Sequence, residues 1–369
     1  KRYEEALDNF RQALEAYRSV PGTARSQAGC LLDIGNTLDN LGRYAEAVDT
    51  YGQALEAYRQ MEDATRNQGV CLENTGNTLC RMSRYAEALA SYRQALEAYR
   101  QVEGTEKDQA DCLGGIGRAL RGLKRYEEAL TCLRQSLGLY QQVEGTREEQ
   151  AECLGDTGSI LDDLDRYQEA AEAYRQARET YRQVEGCEEE QAHCLHMAAL
   201  SLLRAGRHEE VLAVLRDALE LYRTLDGTQS DQADCLRGTA HCLSEAGQFQ
   251  EAQTVYRQAL SLYRSLPGTQ EEQAECLLRC ADIAQWVTRR YEEALTALRQ
   301  ILDLCGQGDQ VRKVRAVCRF RVGTLLVELR RDQEAVAAYR QALEDYQGES
   351  TVAERAGCLH ELGTTLAQT

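Results

Sequence analysis

The stretch RYAEALASYRQALEAYR at residues 84–100 repeats RYAEAVDTYGQALEAYR at residues 43–59 with thirteen of seventeen letters unchanged. The aromatic near its start returns as Tyr3, Tyr44, Tyr85, Tyr126, Tyr167, His208, Phe249 and Tyr291, with Asp332 in the ninth place. The step is 41 residues, except for 42 between Phe249 and Tyr291. A period of roughly 20–50 residues belongs to solenoids, propellers and similar arrays. Units of such an array pack only on their neighbours, so the 369 residues need not divide into separate cores. Prolines occur only at Pro21 and Pro267, and there is no Gly/Ser-rich linker. One continuous body over residues 1–369 is expected, with a partial first repeat at 1–22, full repeats over 23–348 and a partial last repeat at 349–369. The opening KRYEEAL without Met and the ending LGTTLAQT inside a helical pattern read as a slice of a longer protein.

Apolar/polar alternation is absent, and Ala, Leu, Glu, Gln and Arg dominate, so each repeat is built of helices. The first helix of a repeat is predicted from about Ala24 to Leu41, with Leu31, Ile34, Leu38 and Leu41 on one face and Gly42 ending it. The second starts near Tyr44 and places Ala47, Tyr51, Ala54, Leu55 and Tyr58 together. Between repeats, VEGT recurs at 102–105 and 143–146, with VPGT, LDGT and LPGT elsewhere. The Gly suits a helix end and the Thr the N-cap of the next helix. Glu149 after Thr146, Glu272 after Thr269 and Gln68 after Thr65 complete the pattern of a capping box.

The run LLDIGNTLDNLGRYAEAVDTYGQAL (31–55) resembles the tetratricopeptide repeat. Leu31, Ile34, Gly35, Leu38, Ala47, Tyr51 and Ala54 fall where that family keeps its packing residues. The likeness recurs about eight times over nearly the whole chain. The long period is similar to the kinesin-light-chain type. The resemblance implies an all-α, right-handed superhelical solenoid of antiparallel helix pairs. It also implies a concave groove lined by the first helices, and a protein- or peptide-binding role.

The net charge of −17 argues against binding a phosphate backbone, so nucleic acid is not an expected partner. No apolar run is long enough to span a bilayer, and no signal peptide is visible; a cytoplasmic location is expected. Only four of the 43 basic residues are lysines, which is read as genomic base composition. The fifteen cysteines are odd in number, and nine of them fall one per repeat at the Cys30 position, which is Cys in all nine copies through Cys358. Neighbouring helices lie too far apart for disulfides along such a ladder, so these residues are expected to be buried packing thiols.

Aligned with one another, the repeats show which positions hold. The Gly35 position is Gly or Ala in every copy, and the Ala47 position is Ala except at Val211. The Asn36 position changes: Asn36, Asn77, Arg118, Ser159, Leu200, His241, Asp282, Thr324, Thr364. The Asp33 position changes as freely, through Asn74, Gly115, Asp156, Met197, Gly238, Arg279, Arg321 and Glu361. These variable positions lie opposite the packing stripe. The expectation is that they line a ligand-reading groove of Asn36, Asn74, Asn77, Arg81, Arg118, Arg121, Asp156, His196 and His241, free of packing duties. Asn amides can clamp an extended peptide, and Arg can hold a carboxylate or phosphate. A peptide with an acidic or phosphorylated end and a basic middle fits this order. The two-carboxylate clamp of chaperone-binding tetratricopeptide proteins is incomplete, because Leu32, Asp111 and Gly115 stand at its basic positions.

Other motifs carry less. HCLH at 193–196 with His241 lacks the spacing of a known metal site, and GGIG at 114–117 follows no strand. No enzyme signature occurs, and no cofactor or metal is expected. The stretch VRKVRAVCRFR (311–321) places Arg312, Lys313 and Arg315 as a possible dock for an acidic partner, against the alternative of a solvated helix face. Just upstream, the extra residue and the only Trp lie in AQWVTRRYEEAL, where a local irregularity is expected. The reading is a binding scaffold for a protein or extended peptide; a sensor or autoinhibitory arm of a larger effector is the alternative. Oligomeric state is left open. A thiol titration is expected to find few reactive groups in the native chain and about all fifteen after denaturation.

Overall fold

The computed structural model describes residues 2–305, 312–346 and 352–368. Val311 and the start of the last partial repeat lie outside the described residues. The described residues are helical throughout and form no strand. Second helices of the repeats are α1 (Arg2–Arg18), α3 (Tyr44–Arg59), α5 (Tyr85–Tyr99), α7 (Tyr126–Tyr140), α9 (Tyr167–Tyr181), α11 (His208–Arg223), α13 (Phe249–Tyr263), α15 (Tyr291–Cys305) and α17 (Asp332–Asp345). First helices are α2 (Ala24–Asn40), α4 (Thr65–Arg81), α6 (Glu106–Gly122), α8 (Arg147–Asp163), α10 (Glu188–Arg204), α12 (Gln229–Glu245), α14 (Gln270–Asp282), α16 (Arg312–Glu328) and α18 (Val352–Gln368). The helices gather into two compact units, residues 1–201 and 202–369. Successive helices from α1 to α9 and from α11 to α18 pack on one another, and the first helices α2 and α4, α4 and α6, α6 and α8, and α16 and α18 also touch. This is an all-α helical-repeat fold.

One contact explains the most constant positions. Tyr51 of α3 lies across α2 and is only 2% exposed. A Cβ on Gly35 would sit 2.5 Å from the Tyr51 ring. The same crossing recurs as Tyr92 over Gly76, Tyr174 over Gly158 and Tyr339 over Gly323. Where a smaller Leu133 replaces the tyrosine, Gly117 still has only 3.0 Å of room. A side chain here would force the second helix away from the first.

The turns between repeats differ from the capping-box expectation. No side-chain capping hydrogen bond is found at the N-termini of α2, α4, α6, α8, α12 or α14. The Thr hydroxyl instead donates backwards: Thr105 Oγ1 to the carbonyls of Tyr99 (2.7 Å) and Val102 (2.8 Å). Gln109 Nε2 then donates to the same hydroxyl at 3.1 Å. Thr23 with Gln27, Thr146 with Gln150, Thr228 with Gln232 and Thr269 with Gln273 repeat the arrangement. The last carbonyls of the preceding helix lack intrahelical partners, and Thr and Gln supply them. Thr65 is one residue out of register, because Ala64 occupies the Thr position of that turn.

All fifteen cysteines are thiols, and twelve of them are buried. The extra residue of the 42-residue step is absorbed in a π-helical turn, Ile283–Val287, that continues α14. It leaves Trp286 71% exposed.

The Gly–Tyr crossing sets two opposite expectations. Gly35→Ala gains helix propensity but places a methyl against Tyr51, and should lose roughly 1–3 kcal/mol. Gly52→Ala lies mid-helix with nothing within 4 Å of the new Cβ, and should gain about 0.5–1 kcal/mol. Denaturant titration of the two variants beside the parent checks the signs.

Candidate peptide-binding groove

The first unit carries a concavity of ≈ 710 Å³ on the face formed by α2, α4 and α6. Asn36, Asn74, Asn77, Arg81 and Arg118 line it, together with Asp39, Thr78 and Tyr85. Arg121, Asp156 and His196 lie elsewhere in the same unit, and His241 lies in the second.

The expectation that these side chains are free of structural duty is corrected. Tyr51 donates its hydroxyl to Asn36 Oδ1 at 2.8 Å, and Tyr92 donates to Asn77 Oδ1 at 2.6 Å. Ser159 pairs with the Tyr174 hydroxyl at 3.0 Å. In three repeats the residue at the Asn36 position thus serves the tyrosine of the second helix, while Tyr339 has no such partner among the described residues. Opposite tyrosine it is Asn36, Asn77, Ser159, His241 or Thr324; opposite Leu133 and Leu298 it is Arg118 and Asp282. Part of its variation is a response to the second helix rather than to a ligand.

The arginines are engaged as well. Arg81 pairs with Asp39, Arg118 Nη1 with Asp156 at 3.2 Å, and Arg121 Nε with Asp163 at 2.6 Å. Arg66–Asp108 (3.0 Å) and Lys107–Glu149 (2.5 Å) link the same series of helices nearer their starts. Asn74 Nδ2 donates to Asn36 Oδ1 at 3.0 Å, and Thr78 to Asp39 at 2.8 Å. Each pair joins the first helices of adjacent repeats at a separation of 38, 39 or 42 residues. These pairs are partly exposed, and each is worth about 0–1 kcal/mol. Asp39, Tyr51, Thr78 and Tyr92 were not singled out for the groove from sequence. The signal that finds them is complementarity at those separations, which column-by-column comparison does not sample.

The tyrosines also set the direction of the amides. Because Asn36 and Asn77 accept through Oδ1, both leave Nδ2 as the donor. Asn74 gives its Nδ2 to Asn36 and keeps Oδ1 as an acceptor. The concavity thus offers two amide donors and one amide acceptor in fixed orientations.

Of the three residues of the possible dock on α16, Arg315 is not on the surface. Arg315 is 6% exposed and Nη2 pairs with Asp345 at 2.9 Å. Arg319 reaches the other Asp345 oxygen at 2.7 Å, and Arg321 holds Asp282 at 2.6 Å. Arg315 is therefore part of a buried ion pair between α16 and α17, and removing its charge would leave the buried Asp345 with Arg319 alone. Lys313 is exposed and Arg312 half-buried.

Among the described residues no group of His, Cys, Asp and Glu could hold a metal ion, and no helix is long and apolar enough to cross a membrane. The tetratricopeptide repeat family matches residues 1–60, 70–142, 113–183 and 184–265. The chain belongs to that family. Its fold is similar to that of BtubC (BKLC) from P. vanneervenii, at 15% identity over 61% of this chain and 92% of that one, with a TM-score of 0.53. The apo form of RapI is similar at 15% identity over 75% and 97% of the two chains (TM-score 0.51). Aspartyl phosphate phosphatase F from Bacillus subtilis shares 12% identity over 94% of each chain (TM-score 0.54). No curated protein matches the chain.

One carboxylate in this unit has a consequence for stability. Glu73 accepts from the Tyr99 hydroxyl at 2.8 Å. Burial is the main cause that pushes its carboxyl up to about 7; Tyr99 opposes the shift, and Asp111 and Asp108 add to it. The unfolded carboxyl titrates near 4.3. Between those two values the folded chain holds the extra proton, so stability falls as pH rises from about 4.3 to 7 and stays lowered above. Glu73→Gln should therefore stabilise the chain relative to the parent at pH 8 more than at pH 5, in paired denaturant titrations.

Proposed function

We propose that the chain is a non-catalytic scaffold that binds an extended peptide, and that the concavity bounded by Asn36, Asn74, Asn77, Arg81 and Arg118 is where the peptide lies. Tetratricopeptide repeat proteins as a family act as protein-interaction scaffolds, and membership of that family supports the general role. The observation that carries the finer reading is the orientation of the amides. Tyr51 and Tyr92 hold Asn36 and Asn77 with their donors open, and Asn74 keeps an acceptor. Alternating donors and acceptors are what the main chain of an extended peptide needs. Arg81 and Arg118 already carry Asp39 and Asp156. This pocket is accordingly read as a main-chain clamp rather than a seat for an acidic peptide end. A cytoplasmic setting fits the fifteen thiols.

The test avoids Asn36 and Asn77, because both support a buried tyrosine. Peptides are selected by phage display on the 369-residue chain and then measured on the Asn74→Ala, Arg81→Gln double variant. Its melting should stay close to the parent, since Asn74 and Arg81 make only partly exposed contacts. Affinity for the selected peptides should fall by about tenfold or more, the loss of a ligand hydrogen bond. Undiminished affinity for every selected peptide would remove this pocket from consideration.

A further inference from the structure

The second unit holds a cleft of ≈ 500 Å³ that the peptide-binding reading leaves unused. It lies between the second helices α13 and α15, and α14 closes it from below. Buried Leu260, Leu277 and Ala297 form its floor. An apolar floor with a few placed polar groups, at this size, is the make-up of a small-molecule site.

One floor residue breaks the repeat pattern. The Val48 position is Leu, Val or Ala in the other eight copies, and here it is Gln253. Gln253 is 4% exposed and lines the cleft. A carboxamide withdrawn from water costs stability wherever its hydrogen bonds are not replaced. Its Nε2 makes one long bond, to Glu293 Oε2 at 3.4 Å. Its Oε1 accepts from no donor among the described residues. A polar residue that departs from its own repeat, at a cost to the fold, and leaves an acceptor in a cavity marks a functional position.

Two arginines reach across the cleft from α13 to α15. Arg257 Nη2 donates to Glu293 at 3.0 Å, and Arg264 Nη2 to Gln300 Oε1 at 2.9 Å. Such bonds lie in the guanidinium plane and use its edge, so the flat faces stay open for stacking. The cleft thus offers an apolar floor, one buried acceptor and two cationic faces.

We propose that this cleft binds a flat aromatic group carrying an N–H or O–H donor, an indole or a phenol in its simplest form. The ring lies on Leu260, Leu277 and Ala297, and its donor meets Gln253 Oε1. The electron-rich ring face meets the guanidinium groups, which an aliphatic chain would not attract. An anion is disfavoured, because the buried group it would meet is itself an acceptor. The site shares no residue with the first-unit pocket and does not rest on the peptide-binding role.

The experiment is isothermal titration of the whole chain with indole, N-methylindole, phenol and cyclohexanol. Indole and phenol should bind. N-methylindole, which keeps the ring and loses the donor, should bind at least about fivefold more weakly than indole. Cyclohexanol, which keeps the donor and loses the ring face, should bind more weakly than phenol. Gln253→Leu restores the residue of Leu89, Leu130 and Leu295; it should melt no lower than the parent and bind indole and N-methylindole alike. Ala297→Val raises the floor with the residue found at the same position in Val214 and Val255, and should weaken both ring probes by at least about fivefold. Binding of N-acetyltryptophanamide as well as indole assigns the site to a side chain of a partner protein; binding of indole alone assigns it to a free small molecule. The proposal is overturned if neither indole nor phenol binds, if cyclohexanol matches phenol, if the preference for indole over N-methylindole is absent in the parent or survives Gln253→Leu, or if Ala297→Val binds as the parent does. The Asn74→Ala, Arg81→Gln variant should bind indole like the parent, so failure of the first-unit pocket and failure of this site read out separately.

Discussion

The structure depends on a tyrosine laid across a glycine. Tyr51 on Gly35, and its copies at Gly76, Gly158 and Gly323, let the two helices of a repeat approach closely. The ring supplies the buried area and the glycine supplies the room. A buried phenol left alone is costly; among the described residues the Tyr339 hydroxyl has no partner, and in the other three of these crossings it has one. Asn36 and Asn77 supply one, and are thereby turned with their amide nitrogens outward. A packing requirement on the hidden side of the first helix thus orients the polar side that lines the concavity. Core and groove are not independent layers.

Most of the architecture is legible in the sequence because it repeats. The period, the helix pair and the small-residue position all follow from nine imperfect copies of one pattern. The turns are harder. A Thr after Gly can serve the helix before it or the helix after it, and only the backbone geometry decides that Thr105 faces Tyr99 and Val102. The groove is legible as a set of positions but not as a set of interactions. Asn36 was separable from a drifting surface residue only by reading it with Tyr51, fifteen residues away. Arg315 shows the same limit. It sits in a basic run that looks solvated, while the acid that buries it, Asp345, lies thirty residues on.

The two units use one scaffold with different polar content. In the first unit, arginine–aspartate and amide–amide pairs bridge successive first helices. In the second, Arg321–Asp282 and Arg237–Glu275 bridge first helices in the same way, and Arg237 also gathers Asp234 and Tyr263 around itself. The protein is acidic overall, yet its exposed cations are not uniformly neutralised. Position along the array, not composition, decides whether an arginine is paired with a carboxylate of the chain.

The pairs between first helices also bear on how such a chain finds its own register. Thirteen of seventeen letters agree between two neighbouring segments, so a folding chain could dock a helix on the wrong copy, a characteristic failure of repeat proteins. The apolar faces would tolerate the error. The polar positions would not. Were α2 to skip α4 and meet α6, Asp39 would face Gly122 instead of Arg81, and Asn36 would face Gly115 instead of Asn74. Were α6 to skip α8 and meet α10, Arg118 would face Met197 instead of Asp156. Contacts that add little to the stability of the correct fold would then act as an address, telling similar repeats apart during assembly.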